Sequence, residues 1–84
     1  MVKAAFPNPF NGMVTIPYRM PVSGEVKVTV YDSFGREIKL LVSEFKSSGS
    51  HQVTWIPESI PSGTYMVSVG LASSVSMVPV TLVK

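Results

Sequence analysis

Apolar and polar residues alternate with a period of two along most of this sequence, and this pattern limits the possible folds more than any other feature. In a β-strand successive side chains point to opposite faces, so alternation indicates a strand with one buried face. The spacing of three and four residues that indicates an amphipathic helix does not extend over a useful length. We therefore expect an all-β protein.

The alternating segments are separated by clusters of Gly, Pro, Asn, Asp and Ser, the residues that favour turns. Pro17 has no backbone N–H to give to a ladder, so the first strand is expected at a sheet edge or at a bulge. Residues 32–36 are expected to form a hairpin-type turn with Gly35 at positive φ, which makes the second and third strands antiparallel neighbours. We predict strands at residues 13–20, 25–32, 37–42, 51–55, 64–70 and 77–83.

Alternation also predicts which side chains enter the core. In the second strand Val26, Val28 and Val30 are expected to face inward, and Lys27 and Thr29 outward. The large indole of Trp55 is expected at the centre of the core. The residues expected to share one face of the other strands are Val14, Ile16, Tyr18 and Met20; Ile38, Leu40 and Val42; His51, Val53 and Trp55; Tyr65, Val67 and Val69; and Val78, Val80 and Leu82.

Short strands at regular spacing are typical of an immunoglobulin-like or fibronectin-like antiparallel β-sandwich. We expect six strands, or seven if the opening arm at residues 3–12 contributes one. Compact domains commonly have roughly 100 to 150 residues, so residues 1–84 are predicted to form a single domain. Because the chain has no cysteine, hydrophobic packing alone is expected to hold it together. If the chain is joined to another domain, the linker is expected to precede Ala4.

The charge pattern and the length of the apolar runs argue against two classes of partner. Seven basic and five acidic residues give a net charge of +2 without any cluster of Lys or Arg, so nucleic-acid binding is not expected. No apolar run approaches the roughly 20 residues of a membrane helix, so membrane insertion is not expected. Met1 is not followed by a signal-peptide core, so we expect the signal peptide of an exported form to lie elsewhere.

The side chains that catalysis needs are scarce. The chain has one histidine and no cysteine, so pairs of nucleophile and base are nearly excluded. His51 is expected to be buried or half-buried and bonded to the backbone, with no second histidine to share a metal. The sequence predicts no enzyme, no catalytic residue, no metal and no cofactor. The carboxylates are expected on solvated positions, and they are Glu25, Asp32, Glu37, Glu44 and Glu58.

Four blocks of the sequence, in order, resemble a known family. Residues 6–11 read FPNPFN, residues 26–38 read VKVTVYDSFGREI, residues 49–55 contain a Gly, a His and a Trp, and residues 62–65 read SGTY. Together they resemble the type A C-terminal sorting domains of the type IX (Por) secretion system of Bacteroidetes and their relatives. The residues that carry the resemblance are Pro7, Asn8, Pro9, Phe10, Asn11, Tyr31, Asp32, Gly35, Arg36, Gly49, His51, Trp55, Gly63 and Tyr65.

The resemblance implies a targeting function without chemistry. In that family a separate signal peptide takes the cargo across the inner membrane, and an outer-membrane translocon then recognises the C-terminal domain. A sortase-like cysteine peptidase usually removes the domain, and the cargo is released or joined to surface lipopolysaccharide. The resemblance therefore implies a covalently preceding cargo domain, these two partners, and a secreted or cell-surface location reached through the periplasm and the outer membrane.

The last strand is a candidate recognition strand. A terminal edge strand with β-prone, uncharged residues offers unpaired backbone groups to a partner sheet. The alternative is that the strand only completes the fold and that Pro79 guards its edge. Pro79 and the serines at residues 73–76 depart from the family pattern, which often has lysines there. The candidate strand consists of Val80, Thr81, Leu82, Val83 and Lys84.

Two other functions stay open at this point. The GR turn and the glycine before an aromatic also resemble the immunoglobulin-like domain of flagellar hook-capping proteins, which is a structural assembly module. A carbohydrate-binding appendage is a third hypothesis, in which Tyr31 and Phe34 are exposed near the second turn. Turn aromatics more often attach a hairpin to the core, which weighs against the third hypothesis.

Overall fold

The computed structural model describes residues 2–72 and 74–84, so Met1 and Ser73 lie outside the described residues. Within this part the chain forms strands and no helix, which confirms the all-β prediction. None of it therefore forms a helix long and apolar enough to cross a bilayer. The strands of the described chain are β1 (Val14–Met20), β2 (Gly24–Tyr31), β3 (Glu37–Lys46), β4 (Gly49–Trp55), β5 (Gly63–Gly70) and β6 (Val75–Leu82).

The strands form two antiparallel sheets that pack face to face. The smaller sheet pairs β1 with β4, and the larger sheet has the order β3-β2-β5-β6. The β2–β3 hairpin is antiparallel, as its turn predicts. This arrangement confirms the antiparallel, immunoglobulin-like sandwich expected from the strand spacing.

The predicted inward faces supply nearly all of the core between the sheets. Alternation places every second side chain of a strand on the same face, so the apolar set of each strand is buried together. Trp55 is buried as expected, and the arm adds Ala5 and Phe10 to the core. The other buried apolar residues are Val14, Ile16, Tyr18, Met20, Val26, Val28, Val30, Tyr65, Val67, Val69, Val80 and Leu82.

Strand β1 lies at the edge of the smaller sheet, as Pro17 predicts. The arm runs along the outer side of this strand: the Phe6 N–H donates to Thr15 O at 3.0 Å, and the Lys3 N–H donates to Pro17 O at 2.9 Å. In an antiparallel strand the N and O atoms of a residue point to the same side, so the Pro17 nitrogen also faces the arm. The β1–β4 ladder therefore loses no hydrogen bond through the absence of an N–H on Pro17.

Strand β3 is longer than the sequence predicts. We expected it to end at residue 42 and to be followed by a polar loop, but it continues to Lys46 and β4 begins at Gly49. The polar residues remain in the strand because β2 lies opposite, with Val26 paired to Glu44 and Gly24 to Lys46. Backbone pairing with an existing strand outweighs the weak strand preference of these polar side chains.

The predicted face of β3 is also wrong. The register between β2 and β3 shifts twice, because β3 contributes the extra residues Ile38 and Leu41. Each extra residue interrupts the alternation of side chains, as a β-bulge does. As a result Ile38 and Leu40 are exposed, at 36% and 42%, while Leu41 and Val42 are half-buried. The expected common face of Ile38, Leu40 and Val42 does not form.

Thr29 is a smaller exception. It was expected to face solvent, but it is only 3% exposed. It lies on an inner strand of the larger sheet, between Leu40 of β3 and Ser68 of β5. A short side chain between two neighbouring strands is covered by them even on the outer face of a sheet.

The core assignment predicts different costs for the same substitution at two isoleucines. Ile16 is fully buried, so Ile16→Ala is expected to lower the free energy of unfolding by about 2–5 kcal/mol, through lost burial and a cavity. Ile56 is 64% exposed, so Ile56→Ala is the matched control and is expected to change stability by less than about 0.5 kcal/mol. Urea denaturation followed by circular dichroism measures both values. Equal losses would contradict this assignment of the core.

Candidate functional site

Most of the family-motif residues meet at one end of the sandwich. At this end Val14 pairs with Trp55, Gly63 pairs with Leu82, and the turn after β2 shares an open groove with the loop before β5. We call this end the motif pole, and it comprises residues 10–14, 31–37, 55–65 and 82–84. The structure thus brings together blocks that lie far apart in the sequence.

An aromatic cluster joins three of the four blocks at the motif pole. The ring centroids of Phe10 and Trp55 are 5.7 Å apart, and those of Trp55 and Tyr65 are 5.6 Å apart with nearly perpendicular planes. These separations lie in the range where aromatic pairs attract each other beyond simple burial. The Tyr65 hydroxyl donates to Pro61 O at 2.6 Å, which fixes the loop before β5. The cluster therefore has a structural role.

The YDSFGR block forms a compact turn around one carboxylate. Asp32 Oδ1 accepts from the backbone N–H groups of Phe34 and Arg36, both at 2.9 Å, and Asp32 Oδ2 accepts from Arg36 Nε at 2.8 Å. Gly35 adopts φ of 85°, a left-handed conformation that side chains disfavour. A three-residue hairpin loop with a left-handed glycine has this arrangement, as the sequence predicts.

Asp32 is therefore not the freely solvated carboxylate that we expected. Its side chain is 10% exposed, whereas that of Arg36 is 74% exposed. The hydrogen bond from the Arg36 backbone amide lowers the pKa of the Asp32 carboxyl below its usual value. The Arg36 side chain and the Phe34 amide lower it further, and partial desolvation opposes them. The carboxylate is held in its charged form by the turn that it organises.

The exposed aromatic residues do not line one face. Phe34 is 83% exposed in the turn after β2, but the Arg36 guanidinium lies 5.4 Å from the centroid of its ring. Phe45 is exposed near the far end of β3, and Phe6 is exposed in the arm. Tyr31 is half-buried at the end of β2. A sugar platform needs aromatic rings side by side, and these rings lie in separate parts of the fold.

The FPNPFN block covers the outer edge of β6. We call residues 8–11 the strap. Asn8 Nδ2 donates to Pro79 O at 3.0 Å, and Asn8 Oδ1 accepts from the Thr81 N–H at 2.9 Å. The amide of one side chain thus does what the backbone of a neighbouring strand normally does. Pro7 and Pro9 flank this asparagine and are exposed.

The rest of the strap continues the same edge. The Phe10 N–H donates to Thr81 O at 2.8 Å, and Phe10 O accepts from the Val83 N–H at 2.9 Å. Asn11 Nδ2 then donates to Val83 O at 2.9 Å. Every outward-facing N–H and C=O group of Pro79, Thr81 and Val83 is therefore paired with the strap.

This pairing corrects the reason for which the last strand was singled out. We expected Val80, Thr81, Leu82, Val83 and Lys84 to offer unpaired backbone groups, but the strap occupies the outer edge there. Val80 and Leu82 are buried in the core, while Val83 and Lys84 are exposed. The backbone N–H of Lys84 donates to the Ser62 hydroxyl at 3.1 Å, which joins the chain end to the fourth block.

Two motif residues lie at the opposite end of the sandwich. Gly49 begins β4, where it pairs with Met20. The His51 ring is half-buried, its Nε2 lies 2.8 Å from Ser47 O, and it stacks on Tyr18 with centroids 5.6 Å apart. The expected backbone contact of His51 is therefore present. Burial raises the pKa of the Tyr18 hydroxyl, with Lys46 opposing and Glu44 reinforcing this effect.

Among residues 2–72 and 74–84, no group of three or more His, Cys, Asp or Glu side chains is close enough to hold a metal ion. The groove at the motif pole contains Asp32 and Arg36, and their charges already pair with each other.

Sequence reasoning missed the contacts that the strap makes. The motif was identified, but its asparagines looked like turn residues, which is their usual role. Asn8 is separated from its partners by 71 and 73 positions, so no local pattern signals the contact. The one available signal is that two amide side chains flank a buried phenylalanine within four residues.

One comparison with known proteins gives a match. The sequence model of the family described as "Secretion system C-terminal sorting domain" matches residues 4–81. The matched segment includes the strap, β1 to β5 and all of β6 except its last residue, Leu82. No curated protein and no solved structure matches the chain.

The strap predicts a stability cost for losing one amide. Asn8→Ala removes two hydrogen bonds at about 0.5–1.5 kcal/mol each, so we expect the free energy of unfolding to fall by about 1–3 kcal/mol. Gln52→Ala removes an exposed amide on β4 and serves as the control, with an expected change below about 0.5 kcal/mol. Urea denaturation measures both. If Asn8→Ala costs no more than the control, the asparagine contacts do not contribute to stability.

The turn around Asp32 predicts a pH dependence. Its pKa in the folded state is below that in the unfolded state, so the carboxylate stabilises the fold at pH values above the unfolded pKa. This contribution is lost as the pH falls through the folded pKa. The stability difference between the wild type and Asp32→Asn is therefore expected to be largest near neutral pH and to shrink on acidification. Ser33→Ala, in the same turn, is the control and should keep the wild-type pH profile; a constant difference for Asp32→Asn would contradict the assignment.

Proposed function

Because the chain belongs to the family of secretion system C-terminal sorting domains, we propose that it takes a covalently attached cargo protein across the outer membrane. The family is that of type IX secretion sorting signals, which lead to secretion or the cell surface. The observation that carries the proposal is the match over residues 4–81, which includes the strap and β6 as far as Thr81.

The proposed role is recognition without catalysis, as is general in this family. The motif residues support this role because their side chains make contacts within the fold. The rings of Phe10 and Trp55 pack in the aromatic cluster, the Asn8 amide pairs with the β6 edge, and Asp32 organises its own turn. A receptor then reads the surface of a folded domain. We propose that residues 1–84 form one such domain and that the cargo precedes it.

The partners that we propose are an outer-membrane translocon and a sortase-like peptidase. The cargo arrives in the periplasm with its own signal peptide, and the translocon recognises the sorting domain there. The peptidase then removes the domain, and the cargo is released or attached to the cell surface. These steps rest on the family resemblance.

The last strand remains the proposed recognition element. Residues 80–84 combine two buried anchors, Val80 and Leu82, with the exposed Val83 and Lys84 at the chain end. The buried anchors fix the position of this end relative to the motif pole. The exposed residues give a receptor a short surface of defined geometry.

Export of a reporter tests the proposal. Residues 4–84 are fused behind a signal peptide and a reporter enzyme in a bacterium with a working type IX system, and a fusion without the domain is the control. We expect the reporter outside the cell only with the domain, because the translocon has to recognise it. Accumulation of full-length fusion in the periplasm would contradict the sorting function.

A further inference from the structure

The strap covers the outer edge of β6, the strand proposed above for recognition. We propose that the outer edge of β6 at residues 79–83 is a strand-addition site, and that the strap is a removable cover that an extended segment of the export machinery replaces. This inference rests on the proposed function for the identity of the partner. The opening of the strap is a property of the domain alone.

The chemistry of the edge suits an incoming strand. Pro79, Thr81 and Val83 present alternating acceptors and donors outward, and the strap meets them with two side-chain amides and one backbone residue, Phe10. An extended polypeptide satisfies the same groups with main-chain atoms alone, which is how β-strand addition works. The edge therefore selects an extended chain and not a compact ligand.

The pocket of Phe10 adds a requirement on the partner. The ring is 2% exposed and lies against Trp55. When the strap leaves, this space at the motif pole is opened, and leaving it empty costs the burial of a large apolar side chain. The occupant is thus an extended segment with a large apolar residue at the position that Phe10 takes beside Leu82.

The strap is built to open without unfolding the sandwich. Phe10 is its single buried residue, while residues 6–9 and 11–13 are exposed. The hydrogen bonds of both asparagines are exposed to water, which competes for them. β1 keeps its ladder with β4 when the strap leaves, because that ladder lies on its other side. Local openings of weakly buried segments precede global unfolding in many proteins.

The outer edge of β3 is a poorer site than the β6 edge. β3 lies at the opposite end of the larger sheet and carries two bulges. It also carries the charges of Lys39, Glu44 and Lys46. Bulges and charges are the usual means by which a sheet edge avoids pairing. The β6 edge has neither at residues 79–83, and its cover is the strap.

Hydrogen exchange tests whether the strap opens on its own. The N–H groups of Thr81 and Val83 point to the strap, whereas those of Val78 and Val80 point to β5 by the alternation of the ladder. We expect the first pair to exchange roughly tenfold or more faster than the second in the native protein. The double variant Asn8→Ala/Asn11→Ala should increase this difference. One common rate for all four amides would overturn the proposal.

Export of matched variants tests whether the edge itself is needed. Asn8→Ala/Asn11→Ala loosens the strap and leaves the edge intact. Thr81→Pro/Val83→Pro also loosens the strap but removes the two outward N–H groups, at positions equivalent to that of Pro79, which β6 already accommodates. Circular dichroism checks that each variant folds. If Thr81→Pro does not fold, Val83→Pro alone replaces it, since Val83 lies beyond the end of β6.

The outcomes separate the possible roles. Export of the wild type and the asparagine variant, with the proline variant retained in the periplasm, supports strand addition. Export of all three, or loss of export in both variants, would overturn it, because the edge would then be unnecessary or the strap itself would be the signal. If even the wild type is not exported, the sorting function fails and the proposed partner fails with it, while the exchange rates still decide whether the strap opens.

Discussion

The hydrogen-bonded contact of the arm with both sheets is the constraint that assembles the motif pole. At one end the arm pairs with β1 of the smaller sheet, through Lys3 and Phe6, and at the other end it pairs with β6 of the larger sheet, through Phe10. It thereby closes one open side of the sandwich and places Phe10 against Trp55. The chain has no disulfide to do this. Of the residues that carry the family resemblance, Asn8, Phe10, Asn11 and Trp55 take part in this closure.

The closure explains why residues from both ends of the sequence belong to one motif. The FPNPFN block pairs with the outer edge of the last strand. The SGTY block provides the Tyr65 ring of the aromatic cluster and the Ser62 hydroxyl that accepts from the Lys84 N–H. Most of the residues that carry the family resemblance therefore meet at one end of the folded domain, although they lie far apart in the sequence. The surface at this end exists only after folding.

Much of this fold could be predicted from the sequence, because the signal for it is local. In a strand with one buried face, residues two positions apart lie on the same face. The inward residues of β1, β2, β5 and β6 were therefore predicted correctly. The prediction failed at β3, where the bulges at Ile38 and Leu41 depend on the register with β2 and not on the segment itself. It also missed the partners of Asn8 and Asn11. Amide side chains that pair with a strand edge produce no periodic pattern in the sequence.

The distance along the sequence between the strap and its partners has a consequence for how the molecule forms. Asn8 and Pro79 are 71 positions apart, so their contact closes nearly the whole chain into one loop. Contacts between residues so far apart in the sequence form late. The entropy cost of closing a long loop is smaller once shorter-range pairings have formed. A chain that ends before residue 79 has no strand edge with which residues 8–11 can pair. The paired strap therefore marks a domain that has been synthesised through residue 83 and whose last strand has formed.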